Sequence, residues 1–226
     1  MLGLANGLEY PNLNSEILEE TLAVYRTGWI QGVGSSTFNS ARTLPDPSEI
    51  DDTVIPGGDG QRAIEYNFTT ARGKHRFSRF YFHFKPLAKY LGNTTALGLR
   101  FTTGNLADLS FCVIPSTAFG GDGGTALAGG DYYNVLDYTL ANVYANGISA
   151  SGTSAETVTL TQHAINAFND GGGDFGIAVV AANGDFNNTA SSVDTDDKLE
   201  IDFDVTISLS VTFEAVLLKS PFAATT

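Results

Sequence analysis

Cysteine is almost missing from the chain: Cys112 is alone among 226 residues, so no intrachain disulfide can staple the fold. In its apolar setting, LSFCVIP, it reads as a small core residue. Histidine is scarce as well. His75, His83 and His163 show neither an HExxH string nor any Cys/His ligand spacing, which removes the usual zinc sites. Lysine and arginine total 12 against 25 aspartates and glutamates. The resulting net charge of −13 argues against a nucleic-acid partner, whose phosphates need clustered cations. No segment nears the roughly 20 consecutive apolar residues of a membrane span, so no membrane partner is expected. The start MLGLANGLEYPN lacks the basic stretch and apolar run of a secretory leader. No internal repeat is found, which sets aside propellers and solenoids.

What the chain has in quantity is glycine, 25 residues, with abundant Thr, Ser and Asn. That composition suits short strands joined by tight turns. The strongest pattern is Leu199–Glu214, LEIDFDVTISLSVTFE, which alternates apolar and polar throughout. A period of two belongs to a strand, because successive side chains leave opposite faces of the pleat. At about 3.3 Å per residue the run would reach about 50 Å, far longer than a usual strand. It must bend, change sheets or pair outside its own subunit. A bent closing strand of a β-sandwich is one reading, and a strand partly shared with a neighbouring subunit is the other.

Two regions are expected. Residues 1–60 read as an attachment arm, with a short helix over SEILEETLAVYR and then a stretch broken by Pro45, Pro47 and Pro56. Residues 61–226 read as the sandwich. Its predicted strands include QRAIEYNFTT, HRFSRFYFHF, Thr94–Thr103, Leu106–Pro115 and FGIAVVAA, with weaker strand character at Tyr132–Leu140, Ile148 and Thr157–Thr161. In HRFSRFYFHF the alternation puts Phe80, Phe82 and Phe84 on one face and Arg79, Tyr81 and His83 on the other. The continuous apolar run of FGIAVVAA asks for cover on both sides. KPLAKYL reads as one helical turn, HAINAFNDGGG as a short helix entering a glycine turn, and FGGDGGTALAGGD as a long, flexible or exposed loop.

Several strings imitate chemistry. Asp174-Phe175-Gly176 spells a kinase magnesium triplet without any of its companion motifs. GGDGG at 120–124 lacks the Lys and Ser/Thr of a phosphate loop. Asp174 with Asp185, or Glu200 with Asp202, are the carboxylate pairs a glycoside hydrolase would need, and Asp194, Asp196 and Asp197 are calcium-ligand candidates outside any EF-hand spacing. No cofactor is called for. A charge feature is more distinctive: residues 62–100 carry eight cations against Glu65 alone, inside an acidic chain. Within it Arg72, Lys74, Arg76 and Arg79 are candidates for contact with an acidic partner surface.

The order of strands ending in GDFGIAVV, an NGDF loop and KLEIDFDV resembles the closing half of jelly-roll modules of phage and bacterial surface proteins and of some carbohydrate-binding modules. The opening LGLANGL, followed by a short arm, is similar to the beginnings of some tailed-phage virion proteins. The resemblance implies an all-β jelly-roll sandwich with an N-terminal arm. It also implies a non-enzymatic virion protein, a capsid decoration protein or a head- or tail-fibre component. Its partner would be the major capsid protein or another virion protein, and it would form a homo-oligomer, with a trimer favoured. The alternative is a carbohydrate-binding module for a cell-surface glycan, with Tyr132 and Tyr133 as stacking candidates.

Overall fold

A computed structural model describes residues 16–34, 45–52, 62–69, 74–106, 110–134, 142–149, 155–181, 198–201 and 205–213. The strands are β1 (Glu16–Ala23), β2 (Arg26–Gly34), β3 (Pro45–Asp51), β4 (Arg62–Thr69), β5 (Lys74–Phe84) and β6 (Thr94–Leu106). They continue with β7 (Ser110–Pro115), β8 (Ala145–Ser149), β9 (Ala155–Thr159), β10 (Phe175–Ala181), β11 (Lys198–Ile201) and β12 (Thr206–Phe213). Two short α-helices, α1 (Gly129–Asn134) and α2 (Gln162–Asp170), and a 3-10 turn at Ala118–Gly120 complete the described elements.

The alternating C-terminal run behaves as its period demands. Val205, Ile207, Leu209 and Val211 are buried, while Thr206, Ser208 and Ser210 between them stay partly open. Both pieces of the run, β11 and β12, lie antiparallel on β6. Ile201 faces Thr103 and Thr206 faces Arg100, so the closing strand advances five residues where β6 advances three. The run is therefore a closing strand in two pieces with a register shift between them, and not one straight strand.

Pairing gives one sheet in the order β1-β12-β6-β9 and a second in the order β3-β2-β5-β10-β7-β8. Every pairing among the described residues is antiparallel. Without β2 and β3, the eight principal strands read β1-β12-β6-β9 over β5-β10-β7-β8, the double Greek key of a jelly roll. The sheets are bridged by β4, whose Arg62–Glu65 pairs with β11 while Tyr66–Thr69 pairs with β5. Leu97, Leu99 and Phe101 of β6 share one buried core with Phe80, Phe82 and Phe111, and Phe101 and Phe111 cross edge to face at 5.4 Å.

Two expectations about the first sixty residues are corrected. SEILEETLAVYR contains good helix formers, but Glu16–Ala23 is strand β1, in register with Phe213–Thr206 of β12. Its inward positions, Leu18 and Leu22, are partly buried and Ile17, Glu19 and Thr21 are exposed, so sheet pairing overrides helix propensity. Nor is the stretch a separate arm: β2 runs along β5 from Arg26 to Gly34 and places Trp29 and Ile30 in the core. Residues 16–52 therefore belong to the sandwich wherever they are described.

Candidate functional site

The site begins with the outward face of β5. Alternation sends Phe80, Phe82 and Phe84 into the inter-sheet core and Arg79, Tyr81 and His83 to the opposite side, where a jelly roll ordinarily meets water. All three are nevertheless fully buried. Their cover is the connection from β7 to α1, residues 116–134, which folds back over the second sheet. Phe119, Leu127 and Tyr132 supply its buried apolar contacts. A Cβ on Gly28 of β2 would stand 2.7 Å from Leu127 Cδ2 and 3.0 Å from Phe119 Cζ, so only glycine allows the cover to sit this close. As expected of a glycine loop, Gly120, Asp122, Gly124, Thr125 and Ala126 are exposed, but Phe119, Gly123 and Leu127 among them are buried against the sheet, and the expected strand at Tyr132 gives way to α1.

Polar contacts pin this cover from below. The Arg26 guanidinium donates to the carbonyls of Gly123 and Thr125 and lies 5.5 Å from the Phe119 ring centroid. The Leu127 amide donates to Asp52 Oδ2 at 3.3 Å. At the α1 end, Arg79 donates to the Tyr132 carbonyl at 2.6 Å and stacks 3.7 Å from the centroid of its ring, while the Tyr81 hydroxyl donates to the Asp131 carbonyl at 3.2 Å. Burial raises the Asp131 carboxyl above its usual range, against the opposing effect of N–H donors from Ala128 and Phe119.

At the other end of the row stands His83. Its Nε2 is 3.0 Å from Asp174 Oδ1, and Lys85 Nζ is 3.7 Å from the same oxygen. Gly123 presses on the imidazole: a Cβ there would be 2.7 Å from His83 Cδ2. Gly176, opposite His83 on β10, likewise has no room for a side chain, because its Cβ would collide with the Ser116 carbonyl oxygen. The His83 Nδ1 is buried with no hydrogen-bond partner. Burial lowers the His83 pKa from its ordinary 6.5, outweighing the hydrogen bond and charge of Asp174 that act to raise it. The neutral ring therefore carries its proton on Nε2, facing the carboxylate. A general base must reach the proton it abstracts, and among the described residues the hydrogen-bond partner of this fully buried imidazole is Asp174. The pair is built to hold structure together.

The remaining sequence candidates are dispersed. Arg79 and Tyr132 are locked against each other in the core, so neither offers a face to a partner or a sugar. Lys74 and Arg76 lie on β5, near the end paired with β4, and Tyr133 lies on α1, their side chains outside the description. Arg72, Asp185, Asp194, Asp196, Asp197 and Asp202 lie outside the described residues. Among the described residues there is no group of three or more His, Cys, Asp or Glu side chains able to hold a metal, and no helix long and apolar enough to cross a membrane. The exposed aromatic of this region is Tyr25, 54% exposed, with Lys85 Nζ 4.9 Å from its ring centroid. One signal for the cover was present in the sequence: Phe119, Leu127 and Tyr132 are too apolar for a solvated loop.

No protein-family model matches the chain, and no curated protein matches it.

Proposed function

We propose that the protein is a non-enzymatic structural component of a phage particle, a capsid decoration or fibre protein that contacts the major capsid protein or another virion protein as part of a homo-oligomer. The observation that supports this reading most is the strand order β1-β12-β6-β9 over β5-β10-β7-β8, an architecture shared by viral capsid and lectin domains. The segregation of cations into residues 62–100 of an acidic chain adds a second motive, since charge polarity orders contacts between subunits. With β1, β2 and β3 built into the sandwich, attachment falls to other N-terminal residues or to a sheet edge such as β1, where Ile17 is 64% exposed. Mass spectrometry of purified particles tests the proposal: the chain is expected in stoichiometric amount with the capsid, and its absence from particles would refute it.

The second reading, a carbohydrate-binding module, draws on Tyr25, an exposed ring beside Lys85, which in turn reaches Asp174. Glycan-array binding that disappears in Tyr25→Ala would favour it over the first.

A further inference from the structure

The cover over the second sheet is held in an unrelaxed conformation. Phe119 has φ +61°, a left-handed backbone that a bulky side chain seldom adopts, and Gly120, Gly121 and Gly123 follow at +79°, +82° and +72°. Such a segment keeps its place only while its surroundings over-determine it. Here the surroundings are the packing of Phe119 and Leu127 on Gly28, the Arg26 bonds, and the imidazole of His83 under Gly123.

We propose that residues 116–134 form an acid-releasable cover, latched over the sheet by neutral His83 and freed when that side chain takes up a proton. The proton must go to Nδ1, since Nε2 already carries the one shared with Asp174. A charged imidazole would then have a second N–H with no acceptor at its buried site, and a full charge under the cover. The groups facing it are Asp174 before β10, Lys85 on β5, Arg26 on β2, Tyr25 between β1 and β2, and Asp122 in the cover itself. Two of these are cations and two are anions, with the Asp174 oxygen already shared with Lys85, so what opposes the added charge is its burial and the Nδ1–H left without an acceptor. Lifting the cover lets water reach the ring, the arrangement in which a protonated histidine is stable. It also uncovers Phe119, Leu127 and the outer face of β5, turning a closed surface into an apolar one. The latch does not depend on the virion reading.

The test is amide hydrogen exchange of the full chain at pH 7.5 and about pH 5, corrected for the intrinsic effect of pH, with emission of the single tryptophan, Trp29, reporting the core. Because one proton is linked to opening, exchange at Thr125 and Leu127 is expected to accelerate by up to about tenfold per pH unit below 6.5, with Trp29 emission unchanged. His83→Gln keeps a donor for Asp174 but cannot be protonated, and its exchange should be flat with pH. Asp174→Asn removes the anion that favours the charged ring and should move the transition to lower pH, which keeps the test decisive should His83→Gln fail to fold. Exchange in the wild type that does not respond to pH, a His83→Gln variant that responds as the wild type does, or an Asp174→Asn transition that stays in place would each overturn the proposal.

Discussion

The two sheets of this sandwich differ in how many faces they bury. In the sheet β1-β12-β6-β9 one face is wet: Arg100, Thr157 and Thr159 are exposed and Ser208 and Ser210 are half-buried, and outward bonds join neighbouring strands, such as Ser210 Oγ on β12 to Glu19 Oε1 on β1 at 2.7 Å. In the second sheet Ala178 and Val180 on the outer face of β10 are as buried as Ile177 and Val179 on the inner face. Sequence follows this difference. In the first sheet β12 alternates strictly, TISLSVTF, whereas the doubly covered β10 reads FGIAVVA. The second sheet also shows what double cover demands of polar residues: Arg79 and Tyr81 reach main-chain carbonyls of the covering segment, and His83 reaches Asp174.

The largest effect should come from removing the cover's main apolar contact. Phe119→Ala is expected to cost about 3–5 kcal/mol, reduced somewhat by relief of its left-handed backbone, whereas Thr159→Ala on the wet face of the first sheet should stay within about 0.5 kcal/mol. Denaturant unfolding of both variants measures the contrast, and equal shifts would erase it. Arg79→Met keeps most of the side-chain volume but loses the bond to Tyr132 and the stack on its ring; a loss of about 2–3 kcal/mol is expected. Arg100→Met, exposed on the first sheet, is expected to change stability by less than about 0.5 kcal/mol.

Glycines sharpen the comparison further. On Gly28 a methyl would press on Leu127, Phe119 and the Asp51 carbonyl, and Gly28→Ala is expected to cost about 1–2 kcal/mol. Gly98→Ala would meet only the side-chain ends of Ser208 and Thr157 at comparable distances, and these can rotate toward solvent, so a smaller loss should follow in thermal unfolding.

The smallest effect is that of pH. His83 has a folded pKa below its ordinary 6.5, so above 6.5 folded and unfolded chains both hold it neutral and its contribution is constant. As pH falls below 6.5 the unfolded chain binds the proton first, and stability is lost until the folded pKa is passed. The slope from this group cannot exceed about 1.4 kcal/mol per pH unit. A pH series of denaturation midpoints should show the loss in the wild type and its removal in His83→Gln.

Much of the architecture was legible because it rests on period and composition. β5, β6, β10, α2 and the closing strand all follow from local alternation or from glycine stops. β1 was not legible, since EILEETLA satisfies helix propensity and becomes a strand only through pairing with β12, nearly two hundred residues away in sequence. The site was hidden for a related reason. Arg79 and His83 lie in an ordinary polar register, and nothing local says that a glycine-rich connection will return to bury them. The shortage of charge that made the chain look merely acidic also concealed that Arg79 belongs to the interior.

The account rests on the glycine-rich segment being a fixed cover of the second sheet. Residue-resolved amide exchange near pH 7.5 tests that most directly, through the amides of Thr125, bonded to the Phe119 carbonyl at 3.2 Å, and Leu127, bonded to Asp52. Both are expected to be protected by at least about a hundredfold over an unstructured chain, and Arg79→Met should reduce that protection while leaving β12 unaffected. Exchange of Thr125 and Leu127 at the rate of an unstructured peptide, with β10 still protected, would contradict the account.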